Sequence, residues 1–231
     1  MLLLKTLCSL FIEALFPIPL AEQWIFNTPK EDIFKILPRA YRSPISESFS
    51  IFSYKDERVW RLIWSIKYKK SKEASALVGF ALHRFIKIFA QIVPNSTESN
   101  ATITNIIIIP MPVSKQRRRE RGFNQCELLT AEIEKFEAKD KILIINNLLL
   151  RSRHTSRQTL KDKSHRQKSA QGLFEVDKKI LDSKFKNQNG VKDATFIIID
   201  DVVTTGSTMK EAVLTMRKVG FQNTWGLSVA H

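Results

Sequence analysis

From residue 101 onward, short uninterrupted apolar runs alternate with segments of helical period. Ile106-Ile107-Ile108-Ile109 and Phe196-Ile197-Ile198-Ile199 contain no polar position. Each predicts a strand buried on both faces, as in a parallel sheet. Pro110 and Pro112 end the first run, and the second leads directly into Asp200-Asp201. A helix is predicted over about 124–136, with Leu129, Ile133 and Phe136 on one face. Another is predicted over 209–219, with Ala212, Val213, Met216 and Val219 aligned. Thr208 and Glu211 have capping-box spacing, and Gly220 stands where a helix C-cap glycine belongs. Residues 142–149, 174–176 and 224–229 predict further extended segments. The alternation predicts an α/β fold, a mostly parallel sheet flanked by helices.

The first half reads differently. Residues 51–54 predict a short strand. Val59, Leu62, Ile63 and Ile66 give a helical period over 57–68, and Leu77, Ala81, Phe85, Ile88 and Ile92 give another over 73–92. Trp60, Trp64, Phe80, Phe85 and Phe89 on these helices are assigned to the core. Residues 1–50 predict a short amphipathic helix followed by irregular chain carrying Pro17, Pro19, Pro29, Pro38 and Pro44. The organisation expected is an N-terminal appendage over 1–50 and one α/β domain over 51–231. Residues 94–104, 114–121, 151–168 and 182–193 are expected to be loops or polar connections, the last with a turn at Asn189-Gly190.

Composition adds limits. The chain of 231 residues is 43% hydrophobic and 26% charged, enough for a packed core. No apolar stretch reaches the ~20 residues of a membrane span. Lys5 and Glu13 interrupt the apolar N-terminus, which lacks a basic leading region, so it is read as a helix rather than a signal peptide. The two cysteines, Cys8 and Cys126, exclude a disulfide framework and a cysteine-built zinc site. A cytoplasmic location is expected, with no stable membrane insertion.

Charge points to a polyanion. The 37 Lys+Arg outnumber the 23 Asp+Glu, for a net charge of +14. The surplus is concentrated: seven Lys/Arg against two acids in 55–72, five against one in 114–121, and seven against one in 151–168. Nucleic acid or a phosphate-rich small molecule is the natural partner. The 55–72 cluster is read as a solvated face; the other two are read as functional. His154 and His165 are taken as exposed loop residues, and Cys126 as a small helix residue.

The segment 196–208, FIIIDDVVTTGST, carries the chemistry. A buried strand delivers two carboxylates to its C-terminal edge, where open α/β sheets bind ligands. The turn that follows opens a helix, whose first N–H groups favour phosphate. Gly206 permits close backbone approach, and Thr205, Ser207 and Thr208 add hydroxyl donors. Asp200 and Asp201 stand ready for sugar hydroxyls or Mg²⁺. The pattern describes a site for a sugar phosphate.

Four apolar residues, two acids, two apolar residues and T-T-G-S-T closely resemble the thirteen-residue motif for 5-phosphoribosyl 1-pyrophosphate (PRPP) of type I phosphoribosyltransferases. PMPVSKQRRRERGFNQCELL over 110–129, RSRHTSRQT over 151–159, Arg166 and Phe174 resemble the ComF family, proteins linked to DNA uptake in competent bacteria. The stretch from Arg121 to Gln125 is the most characteristic. Residues 3–17 and 59–70 are also ComF-like. Two departures stand out. Family members commonly carry cysteine pairs of a zinc ribbon after the Phe-Pro that falls here at Phe16-Pro17, and this chain has none there, so no zinc is expected. Ser169 stands where the family usually has Asn.

The resemblance implies a type I phosphoribosyltransferase-like fold, with PRPP or a nucleotide 5′-phosphate as ligand and Mg²⁺ as cofactor. By the same carry-over, Thr204, Thr205, Gly206, Ser207 and Thr208 cradle the 5′-phosphate. Asp200 and Asp201 are the catalytic acids facing the ribose and the residues nearest the metal. The turn at Pro112 and Ser114, with Arg117, Arg118, Arg119 or Arg121, receives the pyrophosphate. Arg151, Arg153, Gln158 and Arg166 belong to a loop that closes over the site. Thr204 replaces the acid found in 6-oxopurine salvage relatives, which argues against that subtype. Transfer of a phosphoribosyl group to an unspecified acceptor is the first expectation. The alternative is a non-catalytic nucleotide- or single-stranded-DNA-binding protein working with the DNA-uptake machinery; a third is a ligand sensor without turnover. Homodimerisation stays open.

Overall fold

A computed structural model describes residues 19–40, 43–92, 106–136, 142–152, 172–185 and 194–231. The expected N-terminal helix, the 94–104 linker, the Asn189-Gly190 turn and most of the 151–168 loop lie outside these residues.

A five-stranded sheet organises the protein, in the order β1-β7-β6-β2-β3, with every pair parallel. Its strands are β1 (Ser48–Phe52), β2 (Ile106–Pro110), β3 (Ile142–Ile144), β6 (Thr195–Val202) and β7 (Thr224–Ala230). The two isoleucine-rich runs are neighbours at its centre, with Ile108 opposite Ile197 and Pro110 opposite Ile199. Because strand side chains alternate between faces, consecutive residues feed different cores. Ile106, Ile108, Ile197 and Ile199 pack on one face with the N-terminal helices. Ile107, Ile109, Phe196 and Ile198 pack on the other with Met209, Val213 and Phe221. This two-sided burial is why both runs lack polar positions.

The first face is covered by α1 (Leu20–Asn27), a short 3₁₀ turn, α2 (Ile33–Ile36), α3 (Glu57–Trp64), a π-helical turn (Ser65–Lys69) and α4 (Lys72–Ile92). Residues 19–40 are therefore largely helical rather than irregular. Pro19 and Pro29 each precede a helical start, positions proline tolerates. Ile25, Ile33 and Leu37 share the core with Phe52, Leu62 and Leu82. α6 (Gln125–Glu134) packs against α4, where a Cβ on Gly79 would collide with that of Glu132.

Several expectations need correction. The basic stretch 114–121 is not a loop. Lys115–Arg121 form α5, started by Ser114, whose Oγ accepts from Arg117 N at 3.2 Å, and stopped by Gly122 in the left-handed region (φ 78°). Residues 142–149 do not make one strand. β3 ends at Ile144, and β4 (Leu149–Arg151) leaves to pair antiparallel with β5 (Phe174–Val176) in a separate two-stranded sheet. Part of the expected 182–193 connection is helix α7 (Lys178–Phe185), capped by Asp177, whose Oδ1 accepts from Lys179 N and Ile180 N. The capping box does not form. Helix α8 (Ser207–Lys218) begins two residues earlier than expected, with Gly206 at its N-cap, and Glu211 accepts instead from Gly172 N at 2.7 Å. Val219 and Ile88 are exposed, as is Trp60, which stacks on Trp64 rather than entering the core.

Candidate functional site

β6 carries its acidic pair to the C-terminal edge of the sheet, and the chain then crosses a four-residue turn into α8. Gly206 makes that turn (φ 79°), and a Cβ there would meet Ile45 Cγ2 at 2.6 Å. Thr205 Oγ1 and Ser207 Oγ are 2.9 Å apart across the bend. Residues Asp200 to Met209 form one wall of a cavity of about 360 Å³. Pro112, Val113, Arg117, Gln125 and Arg151 form the other wall, with Tyr54 and Lys67 at its side. His231 buttresses the turn, its Nδ1 2.9 Å from Val203 O.

The two carboxylates are not equivalent. Asp201 is buried, and its Oδ1 accepts from Val202 N at 2.6 Å while its Oδ2 lies 3.0 Å from Lys67 Nζ. Asp200 is partly exposed to the cavity; its Oδ1 accepts from Asp201 N at 2.8 Å and lies 3.7 Å from Cys126 Sγ. Desolvation, followed by the charge of Asp201, pushes the Asp200 carboxyl up to about 7. Burial likewise pushes the Cys126 thiol well above its ordinary value.

The candidate residues divide clearly. Asp200, Asp201, Thr204, Thr205, Gly206, Ser207, Thr208, Pro112, Arg117 and Arg151 converge on the one cavity. Ser114 instead caps α5. Arg118 forms a bidentate pair with Glu127, both distances 3.0 Å. Arg121 donates to Gln125 Oε1 at 2.9 Å and covers the Tyr68 ring. Arg119 is exposed on α5, away from the cavity lining. Arg151 extends along Phe174, and burial, reinforced by Arg117, lowers its pKa from the ordinary value. Arg153, Gln158 and Arg166 lie outside the described residues.

Sequence reasoning missed four lining or supporting groups: Lys67, Tyr54, Gln125 and Cys126. Lys67 was hidden in a basic cluster read as a solvated face. Gln125 and Cys126 follow directly on the Arg-Gly-Phe-Asn run, and that adjacency was the available signal. Asn124 explains the local fold: its Oδ1 caps α6 at Cys126 N, and its Nδ2 donates to Met111 O at 3.1 Å, tying the helix start to the end of β2.

Comparison with known proteins meets this geometry. Residues 149–228 match the family model "Phosphoribosyl transferase domain", a span that contains β6, the acidic pair and the phosphate-type turn. The parallel sheet with its flanking helices is the type I phosphoribosyltransferase fold, and in sequence the chain is similar to competence proteins of the ComF type. Competence protein F of Haemophilus influenzae is 30% identical over 125 residues, 53% of this chain and 50% of that protein. Competence protein ComFC of Bacillus subtilis is 25% identical over 176 residues, 76% of this chain and 60% of that protein. The matches thus span only about half to three-fifths of these relatives. Among the described residues, no helix is long and apolar enough to cross a membrane, and no group of three or more His, Cys, Asp or Glu side chains converges as a metal site.

Proposed function

We propose that the cavity binds PRPP, or a nucleotide through its 5′-phosphate, and that the protein transfers the phosphoribosyl group to an acceptor. The observation that carries this reading is the single cavity shared by the 204–208 turn, the acidic pair, Pro112, Arg117 and Arg151. The turn and the start of α8 offer backbone N–H groups and four hydroxyls, those of Thr204, Thr205, Ser207 and Thr208, to a 5′-phosphate. Asp200 and Asp201 face the ribose hydroxyls. Arg117 and the residues at Pro112 receive the pyrophosphate, since guanidinium matches phosphate oxygens in a planar fork.

In the reaction, the bond from C1 of the ribose to pyrophosphate breaks and a bond from C1 to the acceptor forms. Pyrophosphate leaves and the acceptor loses a proton. The ring carries positive charge at the transition state, so the protein's part is to place charge and hold the leaving group. The donor set suits Mg²⁺ that arrives with its phosphate ligand rather than a resident ion. Two carboxylates are available, one already paired with Lys67, whereas Mg²⁺ keeps waters and phosphate oxygens readily. Bound there, it would screen the pyrophosphate charge. The ligand's supply in metabolism fits a cytoplasmic protein.

The test is pyrophosphate release from PRPP with Mg²⁺ across a panel of purines, pyrimidines and amines. Turnover with one acceptor class, abolished in Asp200→Asn/Asp201→Asn, is the expected result. A folded protein inert with every acceptor would leave binding without transfer.

A second reading has its own observation. Trp60, Trp64 and Tyr68 form a continuous ring ladder, with Arg61 over Trp60, Lys69 over Trp64 and Arg121 over Tyr68. Basic residues interleaved with exposed rings suit single-stranded nucleic acid, and the relatives' names place those proteins in competence. Anisotropy of a labelled oligonucleotide at increasing salt tests it: affinity that falls with salt and is lost in Trp60→Ala/Tyr68→Ala supports this reading.

A further inference from the structure

The cavity holds a charged group that the acid-and-turn motif does not supply. Lys67 lines it, and its ammonium pairs with Asp201 while only 18% of the lysine side chain is exposed. A lysine this shielded needs something that fixes it. The local backbone shows what does. α3 ends at Trp64, and Ser65–Lys69 continue as a π-helical turn, a rare insertion that recurs at functional sites. The turn closes at Lys70 in the left-handed region (φ 53°), a conformation that costs a non-glycine residue free energy. A connection between two helices has less costly solutions.

The opposite side of the same turn is clamped by α1. Glu22, only 6% exposed, accepts from Lys69 Nζ at 2.9 and 2.7 Å and from Ser65 Oγ at 3.3 Å. One buried carboxylate therefore ties the first and last residues of the turn, and Lys67, midway between them, reaches Asp201.

We propose that Lys67 is a ligand-binding residue of this cavity, and that Glu22 is a positioning residue acting through it by locking the Ser65–Lys69 turn. The inference rests on the sugar-phosphate reading above and extends it to residues outside the motif. Two adjacent carboxylates repel a phosphorylated sugar, and the ammonium offsets that repulsion where the ligand must sit. It carries three donors. One serves Asp201, leaving two for oxygens of an anionic sugar phosphate. The N-terminal helices thereby become part of the site's construction.

Ribose 5-phosphate is the probe, titrated calorimetrically into the full chain with EDTA and again with Mg²⁺. Lys67→Met is expected to weaken binding about 10- to 100-fold in both conditions, the size of one charge-assisted hydrogen bond. Lys72→Met, a change in the same basic cluster but outside the cavity, is expected to bind like wild type. Glu22→Gln is expected to weaken binding several-fold, and the Lys67→Met/Glu22→Gln variant to bind no worse than Lys67→Met alone, a pattern that general destabilisation does not produce. Should Lys67→Met fail to fold, the wild-type protein answers directly: saturating ribose 5-phosphate is expected to slow acetylation of Lys67, read by mass spectrometry, at least ~5-fold. Wild-type binding matched by Lys67→Met, or acetylation of Lys67 unchanged by bound ligand, overturns the lysine assignment alone. A further loss from Glu22→Gln in the double variant overturns the role of Glu22. No binding by folded wild-type protein overturns the sugar-phosphate reading itself, and the lysine assignment with it.

Discussion

Cys126 Sγ lies 3.7 Å from Asp200 Oδ1, so the more exposed carboxylate of the pair rests on a fully buried thiol at the start of α6. The contact links two segments that the sequence keeps 74 residues apart. The acid emerges from a sheet edge packed by Cys126, Ile109 and Met111.

This environment sets a pH dependence. Burial raises the Asp200 carboxyl to about 7 from its ordinary value of 3.8. Between those values the folded protein retains a proton that the unfolded chain has lost, so Asp200 erodes stability as pH rises through this window. Asp200→Asn should therefore melt above wild type at pH 8, by roughly 3–6 °C, with the gap closing toward pH 4. Thermal melts of both proteins across that range check it; a gap independent of pH would contradict it.

Gly206 should not tolerate a side chain. Its φ of 79° is strained for any L-residue, and the added Cβ would press on Ile45 and Pro44. Gly206→Ala is expected to lower stability by about 2–3 kcal/mol in urea denaturation. Affinity for ribose 5-phosphate should fall as well, because the same turn is the proposed phosphate seat.

The arginines of α5 should separate by function. Arg117 lines the cavity, whereas Arg119 does not. Arg117→Ala should weaken PRPP about tenfold or more while leaving ribose 5-phosphate, which lacks pyrophosphate, nearly unaffected. Arg119→Ala should change neither. Competition titrations with the two ligands decide the matter.

The ring ladder should contribute little to folding. Trp60 is 41% exposed, whereas Leu62 on the same helix is fully buried. Trp60→Ala should cost under ~1 kcal/mol and Leu62→Ala about 2–4 kcal/mol. Equal losses in urea denaturation would place Trp60 in the core after all.

The parts of the fold that were legible share a cause. Ile106–Ile109 and Phe196–Ile199 announce central strands because both of their faces are buried, and the motif at 200–208 announces a site because strand, acids and turn are contiguous. What stayed hidden depends on contacts distant in sequence or on small local caps. Ser114 and Gly122 bound α5 inside a run whose charge suggested a loop. Glu211 has capping-box spacing from Thr208, yet it is taken by Gly172. Lys67 belongs to the site only because a π turn and the buried Glu22 direct it there, and a helical wheel shows neither. Trp60 and Trp64 read as core because apolar rings on a helix usually are; here Arg61 and Lys69 cover their faces instead.

Calorimetric titration of PRPP with Mg²⁺ into the wild-type protein and the Asp200→Asn/Asp201→Asn variant tests the central claim most directly. The account predicts saturable one-site binding by the wild type and its loss in a variant that remains folded. Heat no greater than ligand dilution with folded wild-type protein, or equal affinity in the two proteins, would contradict it.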